Sequence, residues 1–123
     1  MHALLLVSHG SRRKQSNDEV LHLAEKVRPL TEHHFDIVHA AFLELAKPLI
    51  PEGIQQCIDQ GAQSVLVVPY FLAAGRHVAE DIPNIVKQSR ERYPDVEISI
   101  SSHLGTSDLM PDFLAKLAMD TES

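Results

Sequence analysis

The sequence predicts an α/β protein: a three-layer, open, parallel four-stranded sheet with helices on both faces and strand order 2-1-3-4. Three observations carry that prediction. Short apolar runs alternate with segments of helical period in the order βαβαβαβα. Val65-Leu-Val-Val68 is continuously apolar, the pattern of a strand covered on both faces of a parallel sheet. Right-handed crossovers then place helices on both faces of that sheet. With 123 residues, no internal repeat and no linker, the chain reads as one domain over residues 1–123.

The elements follow in order. Residues 3–8 form an apolar strand that breaks at His9-Gly10-Ser11. Ser16-Asn-Asp-Glu19 has the spacing of a capping box. Val20, Leu23, Ala24, Val27 and Leu30 then repeat at helical spacing, and Pro29 helps to end that helix. A second strand covers residues 36–43, followed by the turn Glu44-Leu-Ala-Lys-Pro48. A helix over 50–60 stops at Gly61, a left-handed terminator. The third strand, 64–69, runs into a small-residue loop carrying Arg76 and His77. Asp81 as N-cap and Pro83 in the first turn predict that the third helix opens there. It ends before Pro94. The fourth strand, 96–101, alternates Val96, Ile98 and Ile100, which suits a position nearer the sheet edge. A last helix covers 110–118.

Composition excludes several classes. Eleven Lys and Arg against seventeen Asp and Glu give a net charge of −6, without the basic face that nucleic-acid binding needs. No stretch approaches the roughly 20 apolar residues of a membrane span. The first residues lack a basic region and a cleavage site, so a cytoplasmic protein is expected. The one cysteine, Cys57, lies on the apolar side of its helix and reads as a small buried hydrophobe. Eight histidines are the compositional oddity, and their positions decide what they mean.

In open α/β sheets, ligands bind beyond the carboxyl ends of the strands, at the switch point of strand order. Order 2-1-3-4 places that point between strands 1 and 3. His9 follows strand 1, Glu44 follows strand 2 and His77 lies in the loop after strand 3. Core packing gives no reason for three polar groups on one rim. Two imidazoles and a carboxylate suit a borderline divalent metal such as Co²⁺, Fe²⁺, Ni²⁺ or Zn²⁺, with coordination positions left open. Ser11, Arg12 and Arg76 add hydroxyl and cationic groups beside them, suited to an anionic substrate. Taken singly, a histidine at a strand end is more often an ordinary loop residue, and a loop arginine more often solvated. His103, after strand 4, is an auxiliary candidate. His33-His34 at the opposite edge reads as solvent-facing, His22 as helix surface, and His39 within strand 2 takes a face the sequence does not assign.

Leu5-Leu-Val-Ser-His-Gly-Ser-Arg12, Phe42-Leu-Glu-Leu-Ala-Lys-Pro48 and the stretch from Val68 to Pro83 together resemble the small, single-copy sirohydrochlorin chelatases of the class II family. The resemblance implies a chelatase-like fold, half of a flavodoxin-like pair. It also implies ATP-independent insertion of Co²⁺ or Fe²⁺, and in some lineages Ni²⁺, into sirohydrochlorin for cobalamin or sirohaem synthesis. The metal is then a substrate, and no organic cofactor is expected. By motif, His9 and His77 match the family histidines that bind metal and take pyrrole protons, and Glu44 matches the motif acid. Longer family members are tandem copies of this unit, so the resemblance implies a homodimer with the tetrapyrrole between subunits. His103 departs from the pattern, which favours a small residue or proline there.

The chemistry asks for these residue types. Metal insertion expels two pyrrolic protons, and neutral imidazole, with an ordinary pKa of about 6.5, serves both as base and as ligand. The tetrapyrrole's carboxylates fit Arg12 and Arg76. Three other classes compete with this reading. A metal-binding or storage module without catalysis would use the same histidines. A histidine-nucleophile phosphatase needs an arginine where Ser8 stands. A receiver-like domain would carry acidic residues where Ser8 and His9 stand.

Overall fold

The structure, a computed structural model, describes residues 1–73 and 75–122, with every side chain among them except that of His77. Four strands, β1 (His2–Ser8), β2 (Ile37–Phe42), β3 (Ser64–Pro69) and β4 (Glu97–Ile100), alternate with four helices. These are α1 (Lys14–Val27), α2 (Ile50–Asp59), α3 (Arg76–Arg92) and α4 (Met110–Glu122). The sheet is parallel throughout and its order is β2-β1-β3-β4, as the sequence predicts.

The period-2 geometry of β1 divides the core in two. Ala3, Leu5 and Val7 point to the side of α2 and α3, where Ile50, Ile54, Val65, Val67, Ile82 and Val86 meet them. Leu4 and Leu6 point to the other side, where Val20 and Ala24 of α1 cover them together with Val38 and Phe42. Burying a side chain such as Leu5 in full stabilises the fold by about 1.5–3 kcal/mol. α2 approaches the sheet closely because Gly53 faces it: a Cβ there would stand 2.8 Å from the Cβ of Ala41. Gly61 at φ 107° ends α2 as expected.

Three local expectations are corrected. α1 begins at Lys14, two residues before the expected cap Ser16, and the residue ahead of it, Arg13, caps it with no side-chain hydrogen bond. Asn17, inside the expected capping box, instead ties back the loop after β1. Its Oδ1 accepts from the Ser11 amide at 2.9 Å, and its Nδ2 donates to the Ser11 carbonyl at 2.8 Å.

α3 begins at Arg76, after an extended Gly75, and Pro83 lies inside it. The apolar stripe of Ile82, Ile85 and Val86 extends back one turn to Val78, which packs against the α2/α3 core. That burial draws the helix toward its N-terminus despite the hydrogen bond Pro83 forfeits.

The third correction concerns β3. Val65 and Val67 are buried against α2 and α3, yet Leu66 and Val68 on the opposite face are only half-buried. α1 covers β1 and β2 on that side. α4 has no buried residue and leaves the β3 half of the face open.

Candidate active site

The carboxyl ends of β1 and β2 are stitched together beyond the sheet. Leu43 donates its amide to the Ser8 carbonyl at 2.9 Å, and Glu44 donates to the His9 carbonyl at 3.0 Å. Gly10 makes that approach possible. Its φ is +94°, and a Cβ would stand only 1.7 Å from the Glu44 carbonyl oxygen. The two backbones therefore meet at a position only glycine fits, and the neighbouring side chains are brought together with them.

His9 Nε2 lies 3.3 Å from Glu44 Oε1, with both side chains about half exposed. The other ring nitrogen, Nδ1, is 3.2 Å from the Gly10 carbonyl oxygen. Both neighbours only accept, and neutral imidazole carries a single hydrogen, so it satisfies one of them and turns a lone pair toward the other. With that hydrogen on Nδ1, the Nε2 lone pair and the Glu44 carboxylate face each other across 3.3 Å. That arrangement is completed by a cation: a proton on Nε2, or a metal ion bound by both. Metal-binding histidines are commonly oriented by this kind of bond from the second nitrogen to a carbonyl. At this exposure the ion pair itself adds at most about 1 kcal/mol to stability, so the pairing matters for chemistry more than for folding.

The pair sits at the mouth of a cleft of about 420 Å³ whose far wall is α3. Asp81, Asn84 and Gln88 line that wall at the spacing of one helical face, with Ile85 between them. The sequence hides these three, because a helix start at Asp81 makes that residue a cap. The signal that reveals them is Val78, whose spacing to Ile82 extends the helix back one turn.

The remaining candidates divide. His77 occupies the first turn of α3, on the same rim, and its side chain lies outside the described residues. Arg76, expected in the loop, is the first residue of α3; it is exposed and its Nε is 3.9 Å from Glu80 Oε1. The Ser11 hydroxyl oxygen accepts from the Arg13 amide at 3.0 Å, and Arg12 is exposed beside it. His103 is half-buried, caps the turn Leu104–Thr106 and does not line the cleft. His33 and His34 are exposed in a turn before β2. His39 is bonded through Nε2 to Gln60 Oε1 at 2.9 Å. Among the described residues no group of three His, Cys, Asp or Glu side chains is arranged to hold a metal. The triad His9–Glu44–His77 includes one side chain beyond that description. Cys57 is fully buried and burial pushes its thiol up to about 11, so it offers no nucleophile at neutral pH. Among the described residues no helix is long and apolar enough to cross a membrane.

Known proteins resemble this chain over almost its whole length. The sequence model of the CbiX family matches residues 3–121. The chain is 35% identical over 121 residues to the sirohydrochlorin ferrochelatase of Priestia megaterium, covering 98% of this chain and 45% of that one. It is 44% identical over 86 residues to the sirohydrochlorin cobaltochelatase of Methanococcus maripaludis, covering 70% of this chain and 58% of that one. The chain thus spans about half the length of these curated relatives. Among solved structures, SirB from Bacillus subtilis with Fe³⁺ superposes with a TM-score of 0.83 at 30% identity, over 99% of this chain and 48% of that chain. A cobalamin (vitamin B12) biosynthesis CbiX protein from Marinobacter aquaeolei VT8 gives a TM-score of 0.80 at 26% identity, over 98% and 97% of the two chains.

Proposed function

The chain belongs to the CbiX family, and on that premise we propose that it is a sirohydrochlorin chelatase. Residues 1–123 act as one chelatase-like unit that inserts Co²⁺ or Fe²⁺ into the tetrapyrrole, without ATP and in the cytoplasm. The observation that carries the reading is the His9–Glu44 pair, an imidazole nitrogen and a carboxylate oxygen 3.3 Å apart at the edge of a cleft. The relatives named as ferrochelatase and cobaltochelatase support Fe²⁺ or Co²⁺ as the cation such a pair would receive.

In this reading the metal is a substrate. His9 Nε2 and Glu44 hold the ion, His77 completes the ligand set from the first turn of α3, and open coordination positions let the macrocycle take over. As the ring binds the ion, its two pyrrolic N–H protons must leave. His9 and His77 accept them once the metal releases their lone pairs, and Glu44 stabilises the imidazolium that His9 becomes. Arg12, Arg76 and Ser11 bind the carboxylates around the macrocycle. A homodimer holding the tetrapyrrole between subunits is part of the same proposal. It is supported by relatives roughly twice this chain's length.

The test is anaerobic and spectroscopic. Protein is mixed with sirohydrochlorin and Co²⁺ or Fe²⁺, and the tetrapyrrole absorbance is followed beside His9→Ala and His77→Ala. Expected is insertion faster than the protein-free rate, reduced at least tenfold by either substitution. A wild-type rate equal to background, with metal still bound, would sink the chelatase and leave a metal-binding or storage module.

A further inference from the structure

The cleft beside His9 and Glu44 is sorted by charge. Among the described residues, its charged lining is two carboxylates, Glu44 on one wall and Asp81 on the other, with no lysine or arginine. His9 adds an imidazole, Asn84 and Gln88 add carboxamides, and Leu43 and Ile85 are apolar. A cleft of one sign with apolar walls concentrates its field on an ion that enters. The arginines of the same rim stand elsewhere. Arg12 and Arg76 are exposed and neither lines the cleft, and the Arg76 Nε is 3.9 Å from Glu80 Oε1.

We propose that this cleft receives the metal as a hydrated divalent cation, and that the carboxylate-bearing macrocycle stays outside it. Size and ligand count both agree with a hydrated ion. Six waters occupy roughly 180 Å³ at their share of liquid volume. The cleft offers about 420 Å³. Among the described residues no three His, Cys, Asp or Glu side chains are arranged to hold a bare ion. His9 and Glu44 therefore replace two waters, and the α3 wall meets the waters that remain. Asn84 and Gln88 lie one turn apart on α3 and both line the cleft. Their carbonyl oxygens accept the hydrogens that a cation's water shell turns outward.

The same lining disfavours the other substrate. A carboxylate arm entering the cleft would meet Glu44 and Asp81 and, among the described residues, no cation. At the rim outside it would meet Arg12 and Arg76. Metal and macrocycle thus reach His9 from different sides. The macrocycle half of this inference rests on the chelatase reading; the cation half does not.

Titration of the full chain with Co²⁺ alone, read by competition with a chromophoric chelator at low salt, tests the cation half. Metal-free sirohydrochlorin is titrated separately and followed by its absorbance. Asn84→Lys and Gln88→Lys each place a cation on the exposed α3 wall. The control Gln56→Lys makes the same change of net charge at another cavity, beside His39. Each α3 lysine is expected to weaken Co²⁺ binding by about fivefold or more, and by less in high salt. Sirohydrochlorin affinity and far-UV circular dichroism are expected to stay unchanged, and Gln56→Lys to match wild type. Co²⁺ affinity untouched by both α3 lysines, or lowered equally by Gln56→Lys, overturns the inference. So does a sirohydrochlorin affinity altered by either α3 lysine, which would put the carboxylate arms in the cleft. The insertion assay keeps the two readings apart. Insertion by wild type, with Co²⁺ binding indifferent to the α3 lysines, would refute the cation cleft and leave the chelatase. Co²⁺ binding weakened by both lysines, with no insertion by wild type, would leave the cation cleft and refute the chelatase.

Discussion

Gly10 carries more of the site's geometry than its size suggests. Its left-handed φ of +94° turns the chain after His9, and its missing side chain admits the Glu44 carbonyl. Gly10→Ala meets two penalties: roughly 1–2 kcal/mol for the left-handed backbone and about 1–3 kcal/mol for relieving the overlap. The variant is expected to lose at least about 2 kcal/mol in urea unfolding. It should also lose the thermal stabilisation that added Co²⁺ gives wild type, because the His9 and Glu44 backbones are forced apart. Gly75→Ala is the control. Gly75 has φ −69°, and a Cβ there would meet nothing within 4 Å, so about 1 kcal/mol or less is expected. Equal losses in both variants would show that the Gly10 contact has no special role. At this scale His9 and Glu44 are legible in the sequence because strand ends are legible. The contact of His9 Nδ1 with the Gly10 carbonyl and the Asn17 clamp are not, since both depend on backbone groups that only the folded loops bring near.

Helix α3 shows how packing overrides a local signal. Asp81 and Pro83 make a good helix start by propensity, yet the helix begins at Arg76 and carries the proline inside. An interior proline loses a backbone hydrogen bond and crowds the preceding turn, about 3 kcal/mol relative to alanine. Against that stands the burial of Val78 one turn earlier. Pro83 is exposed, so alanine there costs little burial. Pro83→Ala should therefore stabilise the protein by about 1–2 kcal/mol after allowing for the stiffer unfolded chain that proline provides. In a thermal melt this is a rise of several degrees for a chain of this length. An unchanged or lowered melting temperature would mean that α3 is built around a bend that Pro83 supplies. The pattern of Val78, Ile82, Ile85 and Val86 holds the correct helix start; the cap residues point elsewhere because a cap signal takes no account of the core.

For the whole molecule, strand order and layering are readable because apolar run lengths and crossover handedness leave few topologies. The open half of the α1 face is not. A continuous run such as Val65-Leu-Val-Val68 says that both faces are apolar, and the cover over Leu66 and Val68 is a matter of how α4 is placed. The α2/α3 side is the closed one, and Cys57 reports on it. The residue is fully buried between α2 and the sheet, and burial raises its pKa from 9.0 to about 11. In the unfolded chain the thiol ionises first, near 9, while the folded chain keeps its proton to about 11. Between those values the unfolded state binds fewer protons, so stability is full below pH 9 and falls as pH rises through 11. A two-unit gap corresponds to about 2–3 kcal/mol. Urea titrations at pH 8, 9, 10 and 11 should show this loss in wild type and a correspondingly flatter profile in Cys57→Ala, which starts lower because of the cavity it leaves. Parallel profiles for the two proteins would mean that the thiolate is accommodated in the fold, and hence that α2 does not seal that side of the sheet.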